Sequence, residues 1–115
     1  MRTLDDLTLR RNEKEAIREA TKILKEKFPV KDVILFGSKA RGDSDKESDI
    51  DLLLLTVQPL HWKERHAIIE HLFDVEMKHD VVISIVVNTV YDWQEGICTV
   101  LPIHEEVSRE GVAIQ

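Results

Sequence analysis

Four consecutive leucines, residues 52–55, limit most strongly what this chain can fold into. They belong to the stretch 50–57, which is apolar except for Asp51 and Thr56. Because side chains alternate between the two faces of a β-strand, such a run needs apolar cover on both faces. The sequence therefore predicts a central strand in a sheet that has helices packed on it.

Hydrophobic spacing predicts the elements around this strand. Apolar residues at intervals of three and four indicate amphipathic helices, and short runs of β-branched residues indicate strands. The predicted order is helix 12–28, strand 33–36, strand 50–57, helix 60–78, strand 81–87, helix 89–94, helix 102–111 and strand 112–114. This order predicts an α/β (α+β) fold with a mixed sheet of three to four strands.

The first helix has clear end signals. Asn12 and Glu15 resemble a capping box, in which each side chain covers a backbone donor of the first turn. Pro29 prevents the helix from continuing. The residues before Asn12 fit either a loose arm or an extra turn.

Length and composition bound the class of protein. A chain of 115 residues with 43% hydrophobic and 33% charged residues is expected to form one domain, 1–115, that folds alone. Its formal charge of −6 disfavours a broad nucleic-acid-binding face, although it does not exclude a small phosphate site. Uncharged runs far shorter than a membrane span, and a polar N-terminus, predict a cytoplasmic protein.

Two features at the strand ends carry chemistry. Gly37 and Ser38 follow the first strand at once, and a Gly-Ser turn lets backbone and hydroxyl groups approach phosphate oxygens. Asp49 and Asp51 begin the leucine strand, where alternation places both carboxylates on one face. Two such carboxylates repel each other and lose hydration, so they need a compensating cation.

A third carboxylate, Asp80, is predicted to begin the third strand. Oxygen ligands from two strands suit Mg²⁺, and two ions about 4 Å apart could clamp the oxygens of a phosphoryl or nucleotidyl transfer. For these groups to meet, the first strand has to run antiparallel to the other two, which are then parallel and joined by the helix 60–78. A shift of one residue in the third strand would turn Asp80 away.

The joint motif resembles that of a known family. Gly37-Ser38-Lys39-Ala40-Arg41-Gly42, followed by Ser48-Asp49-Ile50-Asp51-Leu52, closely resembles the signature of the DNA polymerase β-like nucleotidyltransferase superfamily, in its minimal branch. The resemblance covers roughly residues 12–87. It implies that Gly37 and Ser38 hold a nucleoside triphosphate and that Asp49, Asp51 and Asp80 form the metal-binding and catalytic set. Arg41 fits the motif's arginine, with phosphate contact and bracing of the acidic loop 43–48 both open.

The resemblance also implies a function. It predicts a Mg²⁺-dependent enzyme, with two ions, that moves AMP from ATP to an acceptor hydroxyl. In this branch the usual neighbour is a HEPN-domain protein, so the expected acceptor is that partner, in a toxin–antitoxin pair. The alternatives are a binding protein that neutralises its partner by contact, and transfer to a small molecule. The oligomeric state, a homo-oligomer included, stays open.

Overall fold

The computed structural model describes residues 2–45 and 47–115. The helices are α1 (Arg11–Lys27), α2 (Ser38–Arg41), α3 (Trp62–His79), α4 (Val90–Gln94) and α5 (Pro102–Glu110), with 3₁₀ turns at Leu4–Asp6 and Ile97–Val100. The strands are β1 (Val30–Phe36), β2 (Ile50–Thr56), β3 (Ile83–Thr89) and β4 (Val112–Ala113). In the described part of the chain, no helix is long and apolar enough to cross a membrane.

The leucine strand β2 lies inside the sheet, as its sequence predicts. The strand order is β3-β2-β1-β4, with β1 antiparallel to β2 and β4, and β2 parallel to β3. The predicted mixed sheet and its strand directions are therefore confirmed. Leu52 and Leu54 join the core formed with α1 and α3, whereas Leu53 and Leu55 pack with Trp93 on the other face.

The N-terminal end of α1 differs from the predicted capping box. The helix begins one residue earlier, and Glu13 accepts a hydrogen bond from the backbone N–H of Arg10 at 2.9 Å. The Asn12 amide instead donates to the carbonyl of His79, at the end of α3, at 2.8 Å. The Asn12 side chain, which the local pattern assigned to the helix cap, thus makes a long-range contact to α3 instead.

The segment before α1 is packed against the rest of the chain. Leu4 and Leu7 are buried in the main core. The Arg2 guanidinium donates to the carbonyl oxygens of Ala40 and Glu110, both at 2.7 Å. Of the two sequence-based alternatives, the extra turn is confirmed. Arg2, which precedes the turn, connects the C-terminal ends of α2 and α5.

A buried ion pair fastens α1 to α2. Lys39 is 2% exposed, and its ammonium contacts the carboxylate of Glu13, which is also buried. The same ammonium donates to the carbonyl oxygen of Asp45 at 2.9 Å, so it also holds the loop that follows α2. Because charged groups are costly to bury unpaired, the pair fixes where α2 lies.

We expect Lys39→Met to lower the free energy of unfolding by about 3–5 kcal/mol, because it leaves the Glu13 carboxylate buried without its partner. Replacing both residues, as Lys39→Met with Glu13→Leu, should recover much of that loss. Urea denaturation followed by circular dichroism measures both changes. The matched control is Lys22→Met, on the exposed side of α1. A Lys39→Met loss no larger than that of the control would show that the pair does not hold α2.

Candidate nucleotide and metal site

The motif residues lie together at one edge of the sheet, the edge where β1 ends and where β2 and β3 begin. Phe36, the last residue of β1, pairs with Asp51 near the start of β2. Gly37 therefore lies directly beside Asp51, and α2 leads away from it. The sequence-based expectation that the Gly-Ser turn meets the aspartate pair agrees with this geometry.

Gly37 has to be glycine for two reasons. Its φ of 76° and ψ of −158° belong to a region that only glycine adopts without strain. A Cβ built on Gly37 would lie 2.3 Å from Oδ2 of Asp51, which is far inside van der Waals contact. The Gly37 carbonyl accepts hydrogen bonds from the backbone N–H groups of Ala40 and Arg41, both at 3.0 Å. These bonds close the turn into α2. The half-buried Ser38 begins that helix.

Asp49 and Asp51 lie at the start of β2, close enough for their negative charges to interact. Burial is the larger cause that raises the pKa of Asp51 above its ordinary value, and the negative charge of Asp49 raises it further. The positive charge of Arg41 partly opposes this pKa shift. Ionised Asp51 is therefore in an unfavourable electrostatic environment, which a bound cation would relieve.

Ser84 completes this edge, and the sequence-based prediction missed it. In the parallel register Asp51 is opposite Ser84 on β3. The Ser84 hydroxyl donates to Oδ2 of Asp49 at 2.9 Å. The available signal was a single polar residue within the apolar run 81–87.

Asp80 is not at this edge, so its predicted placement is wrong. The strand begins at Ile83, and Asp80 ends α3 in the left-handed conformation, with φ 57°. Its neighbours in a small cavity include Ser48 and Ile50. Ile50 belongs to the core on the α1 and α3 side of the sheet, opposite to the face that carries Asp51. The helix extends one residue further than its sequence pattern suggested, and that extension displaces the strand.

The Arg41 side chain forms salt bridges with three carboxylates. Its guanidinium contacts Asp43 at 3.1 Å, as the bracing alternative expected, and also Glu110 at 3.0 Å and Glu106 at 3.4 Å on α5. The sequence pattern did not predict the two contacts to α5, because they join residues 65 and 69 positions apart. Arg41 thus connects the motif to the C-terminal helix.

The residues at this edge fit a divalent cation held by two carboxylates. Among residues 2–45 and 47–115, no group of three or more His, Cys, Asp or Glu side chains is placed to hold a metal ion. The expected set of three carboxylates is therefore not assembled. Asp49 and Asp51 are nevertheless hard oxygen donors, and Mg²⁺ commonly takes one or two carboxylates with water and phosphate as its other ligands. The partial burial of Asp51 and its repulsion by Asp49 fit such an ion.

Comparison with known proteins agrees with this geometry. Residues 17–108 match the family model described as "Nucleotidyltransferase domain". Two proteins of Methanocaldococcus jannaschii, both named "putative protein adenylyltransferase", are similar in sequence. One is 44% identical over 71 residues, which are 62% of this chain and 70% of that protein. The other is 46% identical over 54 residues, which are 47% of this chain and 48% of that protein.

Solved structures share the fold. A crystal structure of a toxin–antitoxin with AMP-PNP has a TM-score of 0.58 at 17% identity, and the match covers 86% of this chain and 69% of that chain. A structure of the toxin–antitoxin MntA-HpeT has a TM-score of 0.56 at 17% identity, over 94% of this chain and 73% of that chain. At these identities the likeness concerns the fold.

We expect Gly37→Ala to destabilise the protein by more than Gly42→Ala does. Both glycines have positive φ, but an added Cβ at Gly42 would meet nothing within 4 Å, whereas at Gly37 it would collide with Asp51. The Gly42 change should cost about 1–2 kcal/mol, the penalty of the left-handed conformation alone. Urea denaturation of both variants measures the difference. Equal losses would show that the Asp51 contact is unimportant.

We expect Asp51→Asn to raise the thermal midpoint at neutral pH without metal. Since the folded-state pKa of Asp51 lies above its unfolded value, the folded protein binds more protons through this range, and stability falls as the carboxyl ionises. The rise in thermal midpoint caused by Asp51→Asn should be largest at pH values above the raised pKa. It should vanish as the pH falls below about 3.8, the ordinary pKa of the carboxyl group. Thermal melts across pH 3–8 measure it. Asp74→Asn, an exposed position on α3, is the control, and an equal gain there would contradict the prediction.

Proposed function

This chain belongs to the nucleotidyltransferase domain family, and from that premise we propose that it transfers AMP from ATP to a hydroxyl group of a partner protein. The observation that carries the proposal is that Gly37, at the start of the Gly-Ser turn, lies directly beside Asp51 at one sheet edge. This edge combines a phosphate-binding turn with the ligands of a divalent cation.

Each group at the edge has a role in this proposal. Asp49 and Asp51 would hold Mg²⁺, which would supply positive charge to neutralise the triphosphate. Gly37 lets the triphosphate approach the backbone, and the Ser38 hydroxyl bonds a phosphate oxygen. Arg41 keeps the turn fixed on α5 rather than binding phosphate, since Asp43, Glu106 and Glu110 already surround its guanidinium.

The reaction is a substitution at the α-phosphorus of ATP. The partner's hydroxyl oxygen forms a bond to that phosphorus, while the bond to the bridging oxygen of pyrophosphate breaks. Pyrophosphate leaves with the bonding electrons, and the hydroxyl proton passes to water. The chain contributes mainly by positioning the reactants and stabilising charge, which account for most of the rate enhancement in reactions of this class.

A protein acceptor is supported by the sequence relatives, which are named as protein adenylyltransferases. The structural neighbours are toxin–antitoxin assemblies. Together with the motif resemblance, these names lead us to propose a HEPN-domain toxin as the partner.

A second surface, on the same face of the sheet as Asp51, also suits a partner protein. Ile97 and Val100 of the second 3₁₀ turn are 74% and 79% exposed, and Tyr91 of α4 is 66% exposed. Cys98, between these residues, packs on the sheet face that carries Leu53, which is also the face of Asp51. Its thiol donates to the Asn88 side-chain oxygen at 3.3 Å, and Asn88 pairs with Leu55, so this surface lies toward the far end of β2 from Asp51. A protein that covers this apolar surface would extend along the same sheet face to present a hydroxyl to the site.

The direct experiment is transfer of label from α-³²P-ATP, with Mg²⁺, to the product of the neighbouring gene. We expect the partner to gain one AMP, seen also by intact-mass spectrometry. Asp51→Asn should reduce the transfer rate at least about 100-fold, because the cation loses a ligand. Ser38→Ala should weaken ATP binding by about 1.5–3 kcal/mol, the worth of one hydrogen bond to a charged group.

Ser108→Ala, on the exposed side of α5, is the matched control and should behave as the unmodified protein. If the unmodified protein silences its partner without transferring label, then it neutralises the partner by contact and is not an adenylyltransferase. One observation favours that second candidate: the third carboxylate expected from the family motif is not at the site, where Ser84 lies instead. Transfer to a small molecule has no comparable support here.

A further inference from the structure

The position opposite Asp51 on β3 cannot carry a carboxylate in this chain. The parallel register places Ile50, Asp51 and Leu52 opposite Ile83, Ser84 and Ile85. Residues 81–91 contain no charged side chain. A slip of β3 by one or two residues in either direction would therefore bring only an apolar side chain to this position.

Asp80 is also held away from the site by its backbone. Its N–H donates to the carbonyl of Glu76, and the N–H of Val81 donates to the same carbonyl at 3.2 Å. The Glu76 carboxylate in turn accepts the N–H of Ile83 at 2.9 Å. These bonds lock the connection between α3 and β3, so Asp80 cannot reach the face of Asp51 without breaking the end of α3.

Ser84 supplies a hydrogen bond where a third carboxylate would supply charge. Its hydroxyl bonds Oδ2 of Asp49 at 2.9 Å, which orients that carboxylate and leaves Oδ1 for a ligand. Before a nucleotide binds, the two carboxylates carry a charge of −2, which one divalent cation balances. A third carboxylate would raise the charge to −3 and favour a second ion.

We propose that this site holds a single divalent cation on Asp49 and Asp51, and that Ser84 is a positioning residue that orients Asp49 for it. This inference rests on the proposed function and narrows it from the two ions expected from the motif to one. In that case β3 supplies no carboxylate that could hold a second ion beside the acceptor hydroxyl. The placement of that hydroxyl then depends on the partner.

The experiment counts Mn²⁺ ions by equilibrium dialysis and electron paramagnetic resonance, with and without a non-hydrolysable ATP analogue. We expect one Mn²⁺ per chain in the unmodified protein, with the spectrum of an isolated ion. Ser84→Asp should bind two, with a spectrum broadened by coupling between ions about 4 Å apart. Ser84→Asn is the matched control, because asparagine is similar in size to aspartate but neutral. This variant should bind one Mn²⁺ ion.

Two further variants test the roles of individual residues. Ser84→Ala should keep one site but weaken Mn²⁺ binding about tenfold, as loss of a hydrogen bond to a metal ligand commonly does. Asp80→Asn should leave both the count and the affinity unchanged. Circular dichroism at saturating Mn²⁺ confirms that each variant is folded.

Several results would overturn the inference: two ions in the unmodified protein, an ion lost in Asp80→Asn, unchanged affinity in Ser84→Ala, or no Mn²⁺ bound under either condition. Failure of the proposed function has a different signature. There the nucleotide analogue would not bind and would not raise the Mn²⁺ affinity, while the titration with metal alone still gives the number of ions.

Discussion

Burial of β2 on both faces is the constraint from which the site follows. Leu52, Leu53 and Leu54 are fully buried, so β2 needs a strand on each side and helices above and below. Pairing with β1 in one direction and with β3 in the other brings the end of β1 and the starts of β2 and β3 together. The same alternation that buries Leu53 and Leu55 on one face places Asp51 on that face, where the strand emerges from the core.

The motif turn is held from two directions. Lys39 on one side is bound to Glu13 of α1, and Arg41 on the other is bound to the acids of α5. Arg2 joins α2 to α5 through the carbonyls of Ala40 and Glu110. The four-residue helix α2 is too short to be stable alone, so its position depends on these contacts. The first and last helices thus determine where Ser38 lies relative to Asp51.

The sequence predicted the longer helices and the strands, the strand directions and the meeting of Gly37 with the aspartate pair, because these follow from hydrophobic period and from local turn chemistry. It did not predict α2, where only a turn was expected. It did not predict features that depend on distant contacts. Asn12 bonds His79 instead of its own helix, and Arg41 bonds α5. Asp80 was misplaced because one extra helical residue and a left-handed cap shift the strand start, which the apolar run 81–87 does not mark. Ser84 was missed for the same reason, since its importance depends on the register.

A site with two carboxylates is still consistent with catalysis. A positioned acid or base contributes about 10²- to 10⁴-fold, or roughly 3–5 kcal/mol. Holding the two reactants in the right geometry contributes about 7–11 kcal/mol. If a partner docks on the apolar surface of Tyr91, Ile97 and Val100 and presents its own hydroxyl, docking supplies the larger of these two contributions. Loss of the third carboxylate would then slow transfer to small or unbound acceptors most, and would restrict the activity to a hydroxyl that binding itself positions.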